Sequence, residues 1–148
     1  MKKKFTILIS LIIFLMMLNP VLSQINSNYS SLFNGANSML VAGNFQEAIK
    51  LYNQAIQKSH DSYEAYLGLS IAYKESGQYQ EAYNAVNYVI KLKPNYYQAY
   101  YNLGIILEKL ERKEEAIKAY EKFLKEVPGA ERFSDANKRI LKLKNIRN

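Results

Sequence analysis

The 148-residue chain has no cysteine and no tryptophan, and it carries one histidine and three prolines. Without cysteine there is no disulfide framework and no thiolate to act as nucleophile or metal ligand. The same absence says little about redox compartment, because helices stacked side by side need no covalent staple. His60 stands alone, so the clustered imidazoles of a zinc site cannot form. There is no glycine-rich phosphate loop and no nucleophile signature. Glu114 and Glu115 are adjacent, point to different sides of a helix, and cannot work as a facing pair of carboxylates. Glu47, Glu81 and Glu115 recur at a fixed interval, each in the first turn of the second helix of a repeating pair, where the helix dipole favours a carboxylate. No catalytic residue, metal site or cofactor site is expected, and the chain reads as a non-enzyme.

Positive charge is in excess by 7, but it is not spread evenly. Lys2, Lys3 and Lys4 open the chain, and the last 20 residues hold 6 basic against 2 acidic side chains. The stretch between them is neutral overall, so the basic balance does not describe a nucleic-acid-binding face. The three lysines precede an apolar run from Phe5 to Leu18, and Asn19 and Pro20 follow it. That order suits a secretory signal over residues 1–23, with cleavage expected before Gln24 and residues 24–28 as a short linker. The run is about 14 residues, where a membrane span needs roughly 20. The rival reading is an uncleaved anchor over residues 5–22. Export would place the chain in the periplasm or outside the cell.

Beyond the linker, one pattern repeats every 34 residues. Leu32, Tyr66 and Tyr100 are large and apolar; Ala36, Ser70 and Gly104 are small; Met39, Tyr73 and Leu107 follow on the same face. Ala48, Ala82 and Ala116 come next, each preceded by glutamate, then Tyr52, Val86 and Tyr120, then Ala55, Val89 and Phe123. Large residues at spacings of three and four make a helix stripe, and the small ones mark where two helices approach closely. Gly43 and Gly77 fall between helices, where chain reversal favours positive φ. Pro94 and Pro128 close their units, because proline drives the preceding residue out of the α region. A period of this length signals a solenoid.

The spacing predicts paired helices over 29–42 and 45–58, 62–76 and 79–92, and 96–110 and 113–126. Asp61 or Ser62 is the expected N-cap of the second unit and Asn95 that of the third. The segment 130–146 places Phe133, Ala136, Ile140, Leu143 and Ile146 at helical spacing. It is expected to cap the solenoid and to turn Lys138, Arg139, Lys142 and Lys144 to solvent. This basic end could touch anionic lipid only weakly and in a salt-sensitive way.

The columns resemble the tetratricopeptide repeat family, in three units (29–62, 63–96 and 97–128) followed by a basic capping helix and tail over 129–148. The match departs from the family pattern at Gly35, where a larger apolar residue is usual. It departs again at Glu111 and Lys113, which replace a turn glycine and an aromatic, and at His60, which replaces a closing proline. The resemblance implies an all-α, right-handed superhelical solenoid of antiparallel helix pairs, about seven helices in all. It also implies that the first helices of the units line a concave groove. On that face stand Phe33, Leu67 and Tyr101, then Asn34 and Asn102, then Asn37, Ile71 and Ile105. Aromatic and aliphatic area with interspersed amides suits a peptide or a short amphipathic helix of a partner protein. Relatives that clamp a terminal carboxylate carry Lys or Arg where this chain has Phe33, Gly68, Gln98 and Asn102, so a receptor of that kind is not expected. The expected role is a scaffold or adaptor; the alternatives are a self-associating solenoid and a membrane-tethered adaptor.

Overall fold

The computed structural model describes residues 14, 20, 23–24, 27–126 and 135–145, and every described element is a helix. The first helix described without interruption, α1, includes residues 27–41, and the described residues 14, 20, 23 and 24 are helical as well. It is followed by α2 (Phe45–Lys58), α3 (Tyr63–Glu75), α4 (Tyr79–Leu92), α5 (Tyr97–Lys109), α6 (Lys113–Glu126) and α7 (Asp135–Asn145). The second helix of each pair occupies the span that the sequence spacing predicts. Most of the segment 1–23 that the sequence suggests as a signal, and the closing Pro128, lie outside the described residues, as do Phe133 and Ile146.

One turn is built three times. The N–H of Asn44 donates to Met39 C=O and that of Gly43 to Leu40 C=O; Gln78 and Gly77 repeat this on Tyr73 and Lys74. Arg112 and Glu111 repeat it again on Leu107 and Glu108. This pair of bonds satisfies the orphaned carbonyls at a helix end and needs one left-handed residue. Gly43 (φ 76°) and Gly77 (φ 81°) supply it without strain, and Glu111 is forced into the same conformation at φ 58°. The geometry of the turn is therefore kept where its glycine is lost.

Ser62 caps α3 by accepting the N–H of Ala65 at 3.2 Å, and it also shares a 2.6 Å hydrogen bond with the Tyr29 hydroxyl. Its second bond ties the start of the second unit to the first. The expectation for Asn95 does not hold: Tyr96 occupies the cap position of α5 and no side chain caps it. The Tyr96 N–H instead closes a backbone turn onto Lys93 C=O at 3.0 Å, which carries the chain one residue past asparagine before the helix begins.

Consecutive helices pack on one another from α2 through α7, and α3 also touches α5. The predicted small residues Ala36, Ser70, Ala48, Ala82 and Ala116 are fully buried. Their neighbours adjust in volume. A Cβ on Gly68 would sit 2.3 Å from the Tyr52 ring, and one on Gly104 would sit 2.4 Å from the Tyr120 ring. Each tyrosine fills the place of the side chain that its facing glycine lacks. Where the same column holds the smaller Val86, the flanking positions carry Ser70 and Asn102. Gly35 follows the same logic: Leu51 fills the space beside it, with its Cδ1 at 3.6 Å from where a Cβ would stand. The second and third units reverse that pair, with Leu69 and Leu103 on the first helix and Ala85 and Ala119 on the second.

On α7, Ala136, Ile140 and Leu143 are buried against α6, as the spacing predicts. Lys138, Lys142 and Lys144 are exposed. Arg139 differs from expectation. It turns inward, donating through Nη1 to Glu108 at 3.0 Å and through Nε to Asp135. The acidic pair offers it acceptors that solvent-facing lysines do not meet.

Candidate groove on the first helices

The eight residues read as a groove all lie on α1, α3 and α5, but they differ in how far they are free. Phe33 is half-buried, stacked on Tyr29 with ring centroids 5.7 Å apart and edge-on to Tyr52 at 6.1 Å. Asn34 is exposed. Asn37 accepts the Tyr52 hydroxyl on Oδ1 at 2.6 Å, a bond that leaves both amide N–H donors unused by it. Leu67 and Ile105 are half-buried against neighbouring clusters, and Ile71 is half-buried. Asn102 is only 8% exposed. Its amide has no hydrogen-bond partner among the described residues. No fully enclosed side-chain nitrogen or oxygen is unpaired there, so the amide still reaches solvent.

Tyr101 is the least free. Its hydroxyl donates to Asp135 Oδ2 at 2.8 Å, and its ring lies 5.9 Å from Tyr120 and 5.2 Å from Phe123. Around it sits a network that the sequence reading missed. Glu108 accepts from both Tyr120 and Arg139, and Arg139 also holds Asp135. The signal was present in the period: Asp135 follows Tyr101 by 34 residues, and Arg139 follows Ile105 by the same step. Thus α7 stands in the register of the first helix of a fourth unit, and it continues the groove columns with a carboxylate and a guanidinium. The bond from Arg139, then that from Tyr101, holds the Asp135 carboxyl below the usual range.

Burial pushes the Tyr52 hydroxyl up to about 12 from an ordinary 10. Burial, and then the Glu108 carboxylate, raise Tyr120 as well, and burial leads the upward shift of Tyr66 and Tyr101. Above pH 10 the unfolded chain releases these protons while the folded chain keeps them, so the unfolded state binds fewer protons and stability falls as pH rises. The stabilisation is whole below pH 10 and is lost through pH 12. Thermal unfolding followed by circular dichroism should show a midpoint that drops steeply across that window. Absorbance at 295 nm should show part of the tyrosines ionising only as the helices melt. A midpoint unchanged between pH 9 and pH 12 would contradict the buried-hydroxyl assignment.

Among the described residues no group of His, Asp and Glu could hold a metal ion, and no helix is long and apolar enough to cross a membrane. His60 is exposed in the turn between the first two units.

Two family models, both described as tetratricopeptide repeat, match residues 39–87 and 67–131 and together span well over half of the sequence. The chain belongs to the tetratricopeptide repeat family. Its solenoid is similar to the crystal structure of MamA, at 27% identity and TM-score 0.77, over 87% of this chain and 74% of MamA. It is similar in fold to the first repeat domain of Spaghetti (RPAP3) bound to an HSP90 peptide, SRMEEVD (22% identity, TM-score 0.75, 82% of this chain and 94% of the other). The Yersinia enterocolitica type III secretion chaperone SycD, in complex with a peptide of the translocator YopD, shares the fold at 15% identity and TM-score 0.74, over 80% and 94% of the two chains. No curated protein matches the sequence.

Proposed function

We propose that this tetratricopeptide repeat chain is a non-catalytic interaction module that holds an internal segment of a partner protein against its first helices. The observation that carries the reading is Asn102: nine-tenths buried, unpaired within the protein, yet open to solvent. Because this amide meets solvent only through a small opening, a peptide N–H or C=O can take the place of water on it. Leu67 and Ile71 offer apolar contact on the neighbouring helix, and Asn37 offers amide donors beyond. Two similar solenoids hold peptides, which supports the same use here. The groove lacks Lys and Arg at Phe33, Gly68, Gln98 and Asn102, so it is suited to an internal stretch and not to a terminal carboxylate. The N-terminal pattern supports export in a bacterial envelope setting, with a mature chain that begins at Gln24.

Capture with a cross-linker in native envelope tests this, using wild type against an Ile71→Lys, Asn102→Ala variant of equal helicity. A protein held by wild type and lost from the variant is expected. Equal capture by both would overturn the groove assignment. The intact mass of the recovered chain should start at Gln24; a mass that includes Met1 would overturn the cleavage.

A further inference from the structure

The solenoid carries a second pair of openings, on the side of the first helices that faces away from the groove. On α3, Tyr66, Leu69 and Tyr73 stand on the far side of the helix from Leu67 and Ile71, as the 3.6-residue turn requires. With Glu81, Asn84, Ala85 and Tyr88 of α4 they line a cleft of about 300 Å³. A cleft of about 260 Å³ is lined by Tyr100, Leu103 and Leu107 of α5 with Glu115, Lys118, Ala119 and Lys122 of α6. These seven residues follow the first seven one for one at the 34-residue period, so the two clefts are the same opening in successive units. Tyr83, from the preceding unit, adds one wall to the second.

The sequence explains why the first unit does not repeat them in the same form. There Leu51 stands where Ala85 and Ala119 stand later, and its side chain lies over Gly35. Alanine on the second helix leaves the floor open; leucine fills it.

The rims differ in charge. Glu81 borders the first cleft and is exposed, without an ion pair among the described residues. At the second, Glu115 is held by Arg112 through two oxygens, at 2.8 and 2.6 Å, so the exposed Lys118 sets the sign. The first cleft is also walled by the Tyr66–Tyr88 pair, with ring centroids 4.3 Å apart, and the second by Tyr100 with the Lys122 ammonium over its ring.

We propose that these two clefts form a second docking surface for an amphipathic α-helix of a partner protein. Two apolar side chains of that helix enter the clefts, a basic residue flanks the one over Glu81, and an acidic residue flanks the one over Lys118. Neighbouring units are separated by a helix-packing distance of about 10 Å. Seven residues of an α-helix rise about 10.5 Å, so anchors at i and i+7 match the pair. The site shares no residue with the concave groove, so its occupation does not depend on the groove reading.

The test uses a synthetic helical peptide with phenylalanine at two positions seven apart, arginine beside one and glutamate beside the other. Its controls are the same peptide with both anchors changed to alanine and one with glutamate at both flanks. In ¹⁵N-labelled full chain, the expected result is shifts centred on Tyr66, Tyr88 and Tyr100 with the first peptide, none with the alanine control, and about tenfold weaker binding of the all-glutamate peptide. An Ala85→Leu, Ala119→Leu variant should abolish binding, as the chain's own Leu51 closes its unit. Should that variant fold poorly, Glu81→Lys with Lys118→Glu alters only exposed charges and should weaken binding about tenfold. Ile71→Lys should leave binding unchanged. Shifts confined to Phe33, Leu67 and Ile71, or affinity indifferent to both convex variants, would overturn the proposal. So would shifts of the same tyrosines by a neutral oligosaccharide and not by the peptide. A concentration-dependent dimer that the leucine variant dissolves would overturn it too, since the occupant would then be a second copy of the chain.

Discussion

Gly68→Ala should destabilise the solenoid by about 1 kcal/mol, while the same change at Gly35 should stabilise it by about 1 kcal/mol. Intrinsic helix preference is identical at the two sites, since alanine exceeds glycine by about 1 kcal/mol in a helix interior. The space differs. The new methyl at Gly68 would lie 2.3 Å from the Tyr52 Cζ, and the ring cannot step aside without releasing its hydroxyl from Asn37. The methyl at Gly35 would meet only Leu51 Cδ1, at an ordinary 3.6 Å. Overpacking of this kind typically costs about 1–3 kcal/mol, so it outweighs the helix gain at Gly68 and is absent at Gly35. Gly104 should behave as Gly68 does, because Tyr120 stands 2.4 Å from its added Cβ. Urea unfolding of the three variants checks the signs. A Gly68→Ala, Tyr52→Val double variant should lose less than the two single losses combined, since valine is what the second unit uses at that column. Stabilisation by Gly68→Ala, or equal effects at Gly35 and Gly68, would refute this account of the glycines.

Ending the chain at Glu126 should have the larger effect, about 4 kcal/mol or more. Ile140 and Leu143 are nearly fully buried, and burying such a side chain contributes roughly 1.5–3 kcal/mol. Removing α7 also leaves Glu108 with Tyr120 as its partner and Tyr101 without Asp135, and it exposes the apolar end of the third unit. A midpoint in urea well below that of the full chain is expected, with dye binding to the exposed surface. The tyrosine network offers a finer readout: Tyr101 should ionise at lower pH in the shortened chain. A shortened chain as stable as the full one would mean that α7 contributes little to the fold.

These two predictions separate what could be read in the sequence from what could not. The columns were legible because burial imposes one residue class at one spacing, and three copies average out the local exceptions. The helix pairs, the turn glycines and the buried stripe of α7 all followed from that. The exceptions themselves were not legible. Gly35 reads as a defect until Leu51 is seen beside it, and Gly68 reads as a gap in the groove until the Tyr52 ring is seen to fill it. Each is a trade of volume between two helices, and a column taken alone carries no information about its partner. Arg139 was misplaced for a related reason. Four basic residues on one helix look alike in sequence, and only the acceptors supplied by Glu108 and Asp135 distinguish one of them. Of the groove, the helix faces were legible, whereas the different freedom of Tyr101 and Asn102 depended on what α7 and Val86 leave open.

The place of α7 as the first helix of a fourth unit has a consequence for how the molecule meets its surroundings. Successive helices alternate in direction, so α1 and α7, the first and seventh, run the same way. A helix of α3 or α5 length, 13 residues, spans about 20 Å. α1 therefore begins at one long edge of the solenoid, and α7 ends at the opposite edge. A tether at the first edge would hold the lysines around Asn145 away from the surface that anchors it, facing whatever lies across the gap.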